Sequence, residues 1–167
     1  MAQSEKRVLI IDADLRRGYL HKYDNQAGLA DYLNGQQDLD TIVKTTEITG
    51  LSVITRGKSP TNPSELLSSA KFVALLEQLS PLYDHVIIDT PPILAVTDGI
   101  IISQYTGVNL VIARYAKTQI KELELTINRF EQVGVKVNGI ILNDIVRSAG
   151  GYGYNYSYGY KASTEQD

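Results

Sequence analysis

VLIIDADLRR, residues 8–17, is the stretch from which the fold of this chain reads. Four apolar residues, three of them β-branched (Val8, Ile10, Ile11), run into Asp12, Ala13 and Asp14, with Arg16 and Arg17 close behind. An apolar run of this kind, without polar alternation, marks a strand buried on both faces, as in a parallel sheet. In open α/β sheets, ligands sit beyond the carboxyl ends of the strands. Two carboxylates at such an end are placed to hold a hydrated Mg²⁺ or to take a proton from a nucleophile. A strand that simply stops in an Asp-rich turn has the same letters. The stretch alone leaves both readings open.

The pattern returns at residues 85–92, HVIIDTPP. Pro91 and Pro92 cannot continue a hydrogen-bonded ladder, so the strand ends where Asp89 emerges. This is the form of a Walker B strand, whose aspartate orders the water shell of Mg²⁺. Further strands are expected at 51–55 (LSVIT), 108–113 and 137–142, the last running into Asn143 and Asp144. Between them lie helical patterns. Leu29, Tyr32 and Leu33 fall at helical spacing before an Asn34-Gly35 stop, and a further turn is expected near 39–43. A helix over 64–79, capped by Asn62 or Ser64, places Leu66, Ala70, Val73 and Leu76 on one face. Another covers 93–104 with Asp98 near its start, and one from Thr118 to Gly134 carries Ile120, Leu123, Ile127 and Phe130 on one side. Strands alternating with helices, without tight hairpin signals, predict an α/β fold with a doubly wound, mostly parallel sheet.

At 167 residues the chain suits one domain with a sizeable core. Its 43% hydrophobic and 21% charged residues form an ordinary globular balance. A net charge of −3 leaves no basic footprint, so nucleic acid is not expected as a partner. With no cysteine, disulfides and thiolate metal sites are excluded. No apolar run approaches the roughly 18 residues needed to span a bilayer, and MAQSEKR lacks the apolar centre of a signal peptide.

Gly57-Lys58-Ser59 has the look of the end of a phosphate-binding loop, G-x-x-x-x-G-K-[ST]. The first glycine of that motif would stand at position 52, which is serine, and Pro60 follows in place of a helix N-terminus. Both features argue against a phosphate loop. Tyrosine is the unusual residue: 11 occur against 2 Phe and no Trp, and five lie in the last sixteen positions. From Ser148 on, the Gly/Tyr/Ser-rich composition cannot build a core, so a folded unit over 1–147 and a disordered tail over 148–167 are expected.

Together these pieces resemble the bacterial tyrosine autokinases of capsule and exopolysaccharide assembly, a deviant-Walker group of P-loop NTPases. VLIIDADLRRG (8–18) resembles that family's Walker A′ motif and HVIIDTPP (85–92) its Walker B motif. NPSELL (62–67) resembles a stretch common in these kinases, and the alternating Tyr152, Tyr154, Tyr156, Tyr158 and Tyr160 resemble their C-terminal phosphoacceptor cluster. The resemblance covers essentially the whole chain. It implies phosphate transfer from ATP, with Mg²⁺, onto those tyrosines. It implies further that Asp12 acts near the γ-phosphate and metal and activates the tyrosine hydroxyl, that Asp14 orders the surroundings of the metal, and that Asp89 is the Walker B carboxylate and metal ligand. Arg16 and Asn143 fall to nucleotide binding, Asn143 near the adenine. Asp14 also reads as a turn or salt-bridge partner of Arg16 or Arg17, and Asn143 as a strand-end turn.

The implied partners are a membrane-embedded polysaccharide co-polymerase or activator (or the chain's own N-terminal membrane region), neighbouring kinase subunits, and a cognate tyrosine phosphatase. The implied location is the cytoplasmic face of the plasma membrane. The family's Walker A loop has no counterpart here. MAQSEKRVLIID reads as starting in the last turn of the P-loop helix, so an N-terminally truncated sheet, without the P-loop strand and helix, and weak or absent Mg·ATP binding are expected. The competing readings are a non-catalytic substrate or docking fragment, and a related ATPase that positions cell-division or plasmid components.

Overall fold

The computed structural model describes residues 5–17 and 26–145. β1 (Val8–Asp12) is the axis of a four-stranded sheet of order β2-β3-β1-β4, with β2 spanning Lys44–Thr45, β3 Leu51–Ile54 and β4 His85–Asp89. β1 runs parallel to β3 and β4, and only the short edge strand β2 is antiparallel. A register pin explains the β1–β4 alignment. Asp84 accepts the Arg7 N–H through Oδ2 at 2.7 Å and returns its own N–H to the Arg7 carbonyl at 2.8 Å. Leu9 and Ile11 are fully buried, as the unbroken apolar run predicts.

The core packs on them from α1 (Leu29–Leu33), α3 (Pro63–Leu67), α4 (Ala70–Leu79) and α5 (Asp98–Ser103), with Leu29, Leu67, Phe72, Leu75 and Ile102 contributing buried side chains. α2 (Leu39–Ile42) adds Ile42. The helix expected over 64–79 is two helices. Ser69 sits in extended geometry between α3 and α4, and its Oγ accepts the Phe72 N–H at 3.3 Å. A serine that can cap a new helix competes with the backbone of the old one. Likewise the helix expected at 93–104 starts only at Asp98, after a turn that follows the two prolines.

β5 (Leu110–Arg114) and β6 (Gly139–Asn143) form a separate parallel pair, joined through α6 (Ile120–Gln132). Gly134, at φ +73°, ends α6 as expected. The second pair is open to solvent, and β4 departs from the expectation of a buried strand. Ile140, Ile141 and Leu142 are consecutive and all exposed, so neither face of β6 is covered among the described residues. Ile112 on β5 is 64% exposed and Ile87 on β4 is 44% exposed. β4 ends the larger sheet, and no ladder among the described residues joins it to β5. The described sheet is therefore in two pieces, and large apolar side chains are bare along both.

The Gly57-Lys58-Ser59 loop is closed by an acid. Asp31 Oδ2 accepts the N–H of Gly28 at 2.9 Å and of Lys58 at 3.2 Å, so a carboxylate of the chain itself occupies the place an anion would take. Gly57 has φ +77°, and a Cβ there would overlap Asp31 Oδ2. A Cβ on Gly28 would overlap the Gly57 N and the Thr55 carbonyl, which are backbone atoms and cannot yield. Gly28→Ala is therefore expected to destabilise the chain by about 2 kcal/mol or more, whereas Lys58→Ala, at an exposed position, stays within about 0.5 kcal/mol. Urea unfolding midpoints of the two variants check the contrast.

Candidate functional site

Asp12 and Asp89 are the last residues of β1 and β4 and are direct partners in the parallel register. Such partners lie roughly 4.8 Å apart across the ladder with side chains on the same face. The ladder runs one step further, the Ala13 N–H donating to the Asp89 carbonyl at 2.8 Å. The two aspartates that end the two apolar runs thus stand side by side at the carboxyl edge of the sheet. Asp12 and Asp14 are buried, and Asp89 opens to solvent.

Beyond β1 the chain folds into a turn held by its own carboxylates. Asp12 Oδ1 accepts the Asp14 N–H at 3.2 Å, and Asp14 Oδ1 accepts the N–H groups of Arg16 and Arg17 at 3.1 and 2.9 Å. The turn role of Asp14 is therefore visible in the geometry. The neighbouring loop braces the turn: Ser59 Oγ donates to the Leu15 carbonyl at 3.3 Å, and Arg56 Nη1 to the Arg16 carbonyl at 3.4 Å.

The Arg16 side chain is engaged within the protein. Its Nε donates to Asp98 Oδ2 at 2.9 Å and its Nη2 to Asp98 Oδ1 at 3.3 Å, a side-on bidentate pair with a fully buried carboxylate. Hydrogen bonding to Asp98 holds the guanidinium above its already high pKa, against the opposing effect of desolvation. Ser64 Oγ donates to Asp98 Oδ1 at 2.6 Å. Asp98 and Ser64 were singled out by the sequence only as helix-start residues; no local signal pairs them with Arg16.

Asn143 ends β6, in the other sheet, opposite Arg114 in register. Its carbonyl accepts the Tyr115 N–H at 2.9 Å, and the next residue, Asp144, has φ 61° and an ion pair to Arg114 at 2.6 Å. Aspartate adopts the left-handed conformation readily, so this is the geometry of a strand-end turn. The tyrosine cluster Tyr152 to Tyr160 lies outside the described residues.

The carboxylates form a like-charged group. Partial burial pushes Asp89 above the ordinary carboxylate range and the negative charge of Asp14 adds to it, while the Thr90 N–H pulls the other way. Among the described residues no cluster of three or more His, Asp or Glu converges as a protein-built metal cage. The chemistry of the pair suits instead a hard dication held by one or two carboxylates, with phosphate oxygens and water completing the shell. Concave volume does not mark the place: a recess of about 440 Å³ lies at the opposite ends of the strands, between Arg7, Ile48 and Tyr83. No helix among the described residues is long and apolar enough to cross a membrane.

A parallel sheet with paired aspartates at adjacent strand ends is the layout of a P-loop-type ATPase domain. Residues 1–138 match the AAA domain family, and the chain belongs to it. Within that class it is similar to the kinase domains of bacterial tyrosine-protein kinases. It is 77% identical to the tyrosine-protein kinase ptk of Acinetobacter johnsonii over 155 residues, 91% of this chain and 21% of that protein. It is similar to the kinase domain of Escherichia coli tyrosine kinase ETK at 44% identity and a TM-score of 0.85, over 93% of this chain and 62% of that one. The VpsO kinase domain is similar at 36% identity and a TM-score of 0.81, over 87% and 73%. The chain spans about a fifth of the length of the curated relatives it matches.

The raised Asp89 pKa has a consequence for stability. A carboxylate whose folded pKa exceeds its unfolded value binds more protons when folded, so its contribution is present below the unfolded pKa and lost as pH rises through the folded one. Asp89→Asn removes that loss. The variant is expected to be more stable than the parent at pH 7, with the difference vanishing in acid below the unfolded pKa of about 4. Urea midpoints at pH 3 and pH 7 measure it, and a gain that is larger at pH 3 contradicts the assignment.

Proposed function

We propose that this chain is the catalytic portion of a protein-tyrosine autokinase. It transfers the γ-phosphoryl group of Mg·ATP to the tyrosines at 152, 154, 156, 158 and 160, and so regulates polysaccharide polymerisation and export. The observation that carries the reading is the register partnership of Asp12 and Asp89 at the carboxyl ends of β1 and β4, in a chain 77% identical to a tyrosine-protein kinase. Bound Mg²⁺ supplies charge neutralisation on the phosphates and a fixed template for them.

The chain's own residues have the remaining tasks. Asp89 and Asp12 would hold Mg²⁺, and Asp14 keeps the turn between them and Arg16 in place. A tyrosine phenol, with a pKa near 10, is a weak nucleophile at neutral pH. Asp12 takes its proton as the phenolic oxygen bonds to the γ-phosphorus, and the bond from that phosphorus to the bridging oxygen breaks to release ADP. Asn143 serves the adenine side. We assign residues 1–147 to the kinase unit and 148–167 to the acceptor tail. Its partners on this reading are neighbouring kinase subunits, a membrane-embedded co-polymerase or activator, and a tyrosine phosphatase, at the cytoplasmic face of the membrane.

Because Asp31 closes the Gly57-Lys58-Ser59 loop, that loop offers no free cradle of N–H groups to phosphate. Transfer by this chain alone is therefore expected to be slow. With γ-labelled ATP and Mg²⁺, label is expected on the tail tyrosines, reduced at least ~100-fold by Asp12→Asn or Asp89→Asn and abolished when all five are changed to phenylalanine. If label reaches the tail only when a second, active tyrosine kinase is added, the transfer reading falls and an acceptor role replaces it.

A further inference from the structure

We infer that Asp98 and Ser64 are positioning residues for the acting carboxylates, working through Arg16; the inference rests on the reading of Asp12, Asp14 and Asp89 as the reacting group. Asp98 is fully buried, 82 positions from Arg16 in sequence, and its two oxygens accept three hydrogen bonds: Arg16 Nε at 2.9 Å, Arg16 Nη2 at 3.3 Å and Ser64 Oγ at 2.6 Å. Arg16 Nη2 also reaches Ser64 Oγ at 3.2 Å. A planar guanidinium gripped on two nitrogens has its direction as well as its distance fixed.

What this grip holds is the turn. The backbone N–H of Arg16 lies on Asp14 Oδ1, and the backbone N–H of Asp14 lies on Asp12 Oδ1. The side chain of Arg16 is thus anchored to α5 and α3 while its main chain orients the two carboxylates. The same end of α5 also packs on the segment that follows the third. Gly99 packs so closely on the segment after β4 that a Cβ there would overlap Ile93 Cδ1 and stand 3.2 Å from Thr90 Oγ1, next to Asp89. The start of α5 is therefore the shared brace of both carboxylate-bearing strand ends. On this inference Arg16 serves the reaction by orienting Asp14 and Asp12 and does not itself hold phosphate.

The test uses the full chain and three variants. Asp98→Asn keeps shape and removes charge, Arg16→Lys keeps charge and removes the fork, and Ser64→Ala removes the hydroxyl's two hydrogen bonds, to Asp98 and from Arg16, at a partly exposed site. Amide hydrogen exchange, read by NMR, is expected to quicken about tenfold at Asp14, Arg16 and Arg17 in the first two variants and about threefold in Ser64→Ala, with Ile10 and Ile11 in β1 unchanged. The transfer rate at saturating Mg·ATP should fall by a similar factor while the KM for Mg·ATP stays within about twofold. Should Asp98→Asn not fold, Ser64→Ala carries the test alone. Unchanged exchange at the turn, or a change shared equally by β1, overturns the inference. A KM rise of about tenfold in Arg16→Lys at constant maximal rate overturns it in favour of direct phosphate contact. If the parent chain transfers no phosphate, the kinase reading fails on that result, and the exchange pattern still decides whether Asp98 positions the turn.

Discussion

The parallel pairing of β1 with β4 is the constraint on which the rest of this structure depends. Register in a sheet is discrete, and a slip of one residue would turn Asp12 into the core face and Leu9 and Ile11 out of it. Burial of Leu9 and Ile11 therefore selects the register, and the Arg7–Asp84 contacts pin its lower end. Once it is set, Asp12 and Asp89 have no freedom to be anywhere except beside each other at the upper edge. The site is thus a by-product of core packing. Partial burial and the nearby Asp14 hold the Asp89 carboxyl above the ordinary carboxylate range.

Around that pair, the protein uses hydrogen bonds to its own carboxylates in three different ways. Asp14 closes a tight turn onto the N–H groups of Arg16 and Arg17. Asp31 closes the Gly57 loop and fastens it to the start of α1. Asp98, without solvent access, neutralises Arg16 and carries Ser64. A buried carboxylate is tolerable only when its lone pairs are occupied, and each of these is occupied by groups from another segment or from a turn it creates. The acids thus do the joining that, in a larger core, apolar contact would do.

Much of the fold was legible in order along the chain. The runs at 8–12, 51–54 and 85–89 are strands where the residues place them, α1 stops at the Asn34-Gly35 signal, and α6 stops at Gly134. The single helix read over 64–79 was wrong because the apolar period continues through Ser68 and Ser69 while the capping preference of Ser69 breaks the backbone there. Period and cap are competing local signals, and the cap prevailed. The strands at β5 and β6 were found, but their apolar letters did not translate into burial, because burial requires a neighbour and composition does not supply one.

The sequence by itself determined that Asp12 and Asp89 end strands, since β-branched runs and the proline stop after Asp89 are properties of contiguous residues; burial followed for β1 but not for β4, where His85 and Ile87 are exposed. It also determined that Gly57-Lys58-Ser59 departs from a phosphate-loop pattern, through Ser52 and Pro60. Only the tertiary structure decided that Asp31 fills that loop, that β1 lies next to β4, and that Asp98 meets Arg16 across 82 positions and Ser64 across 34. A hydrogen bond between distant side chains leaves no periodicity in the chain. Its partners are chosen by how the strands and helices pack, and an aspartate at a helix start looks the same in sequence whether it meets water or a buried arginine.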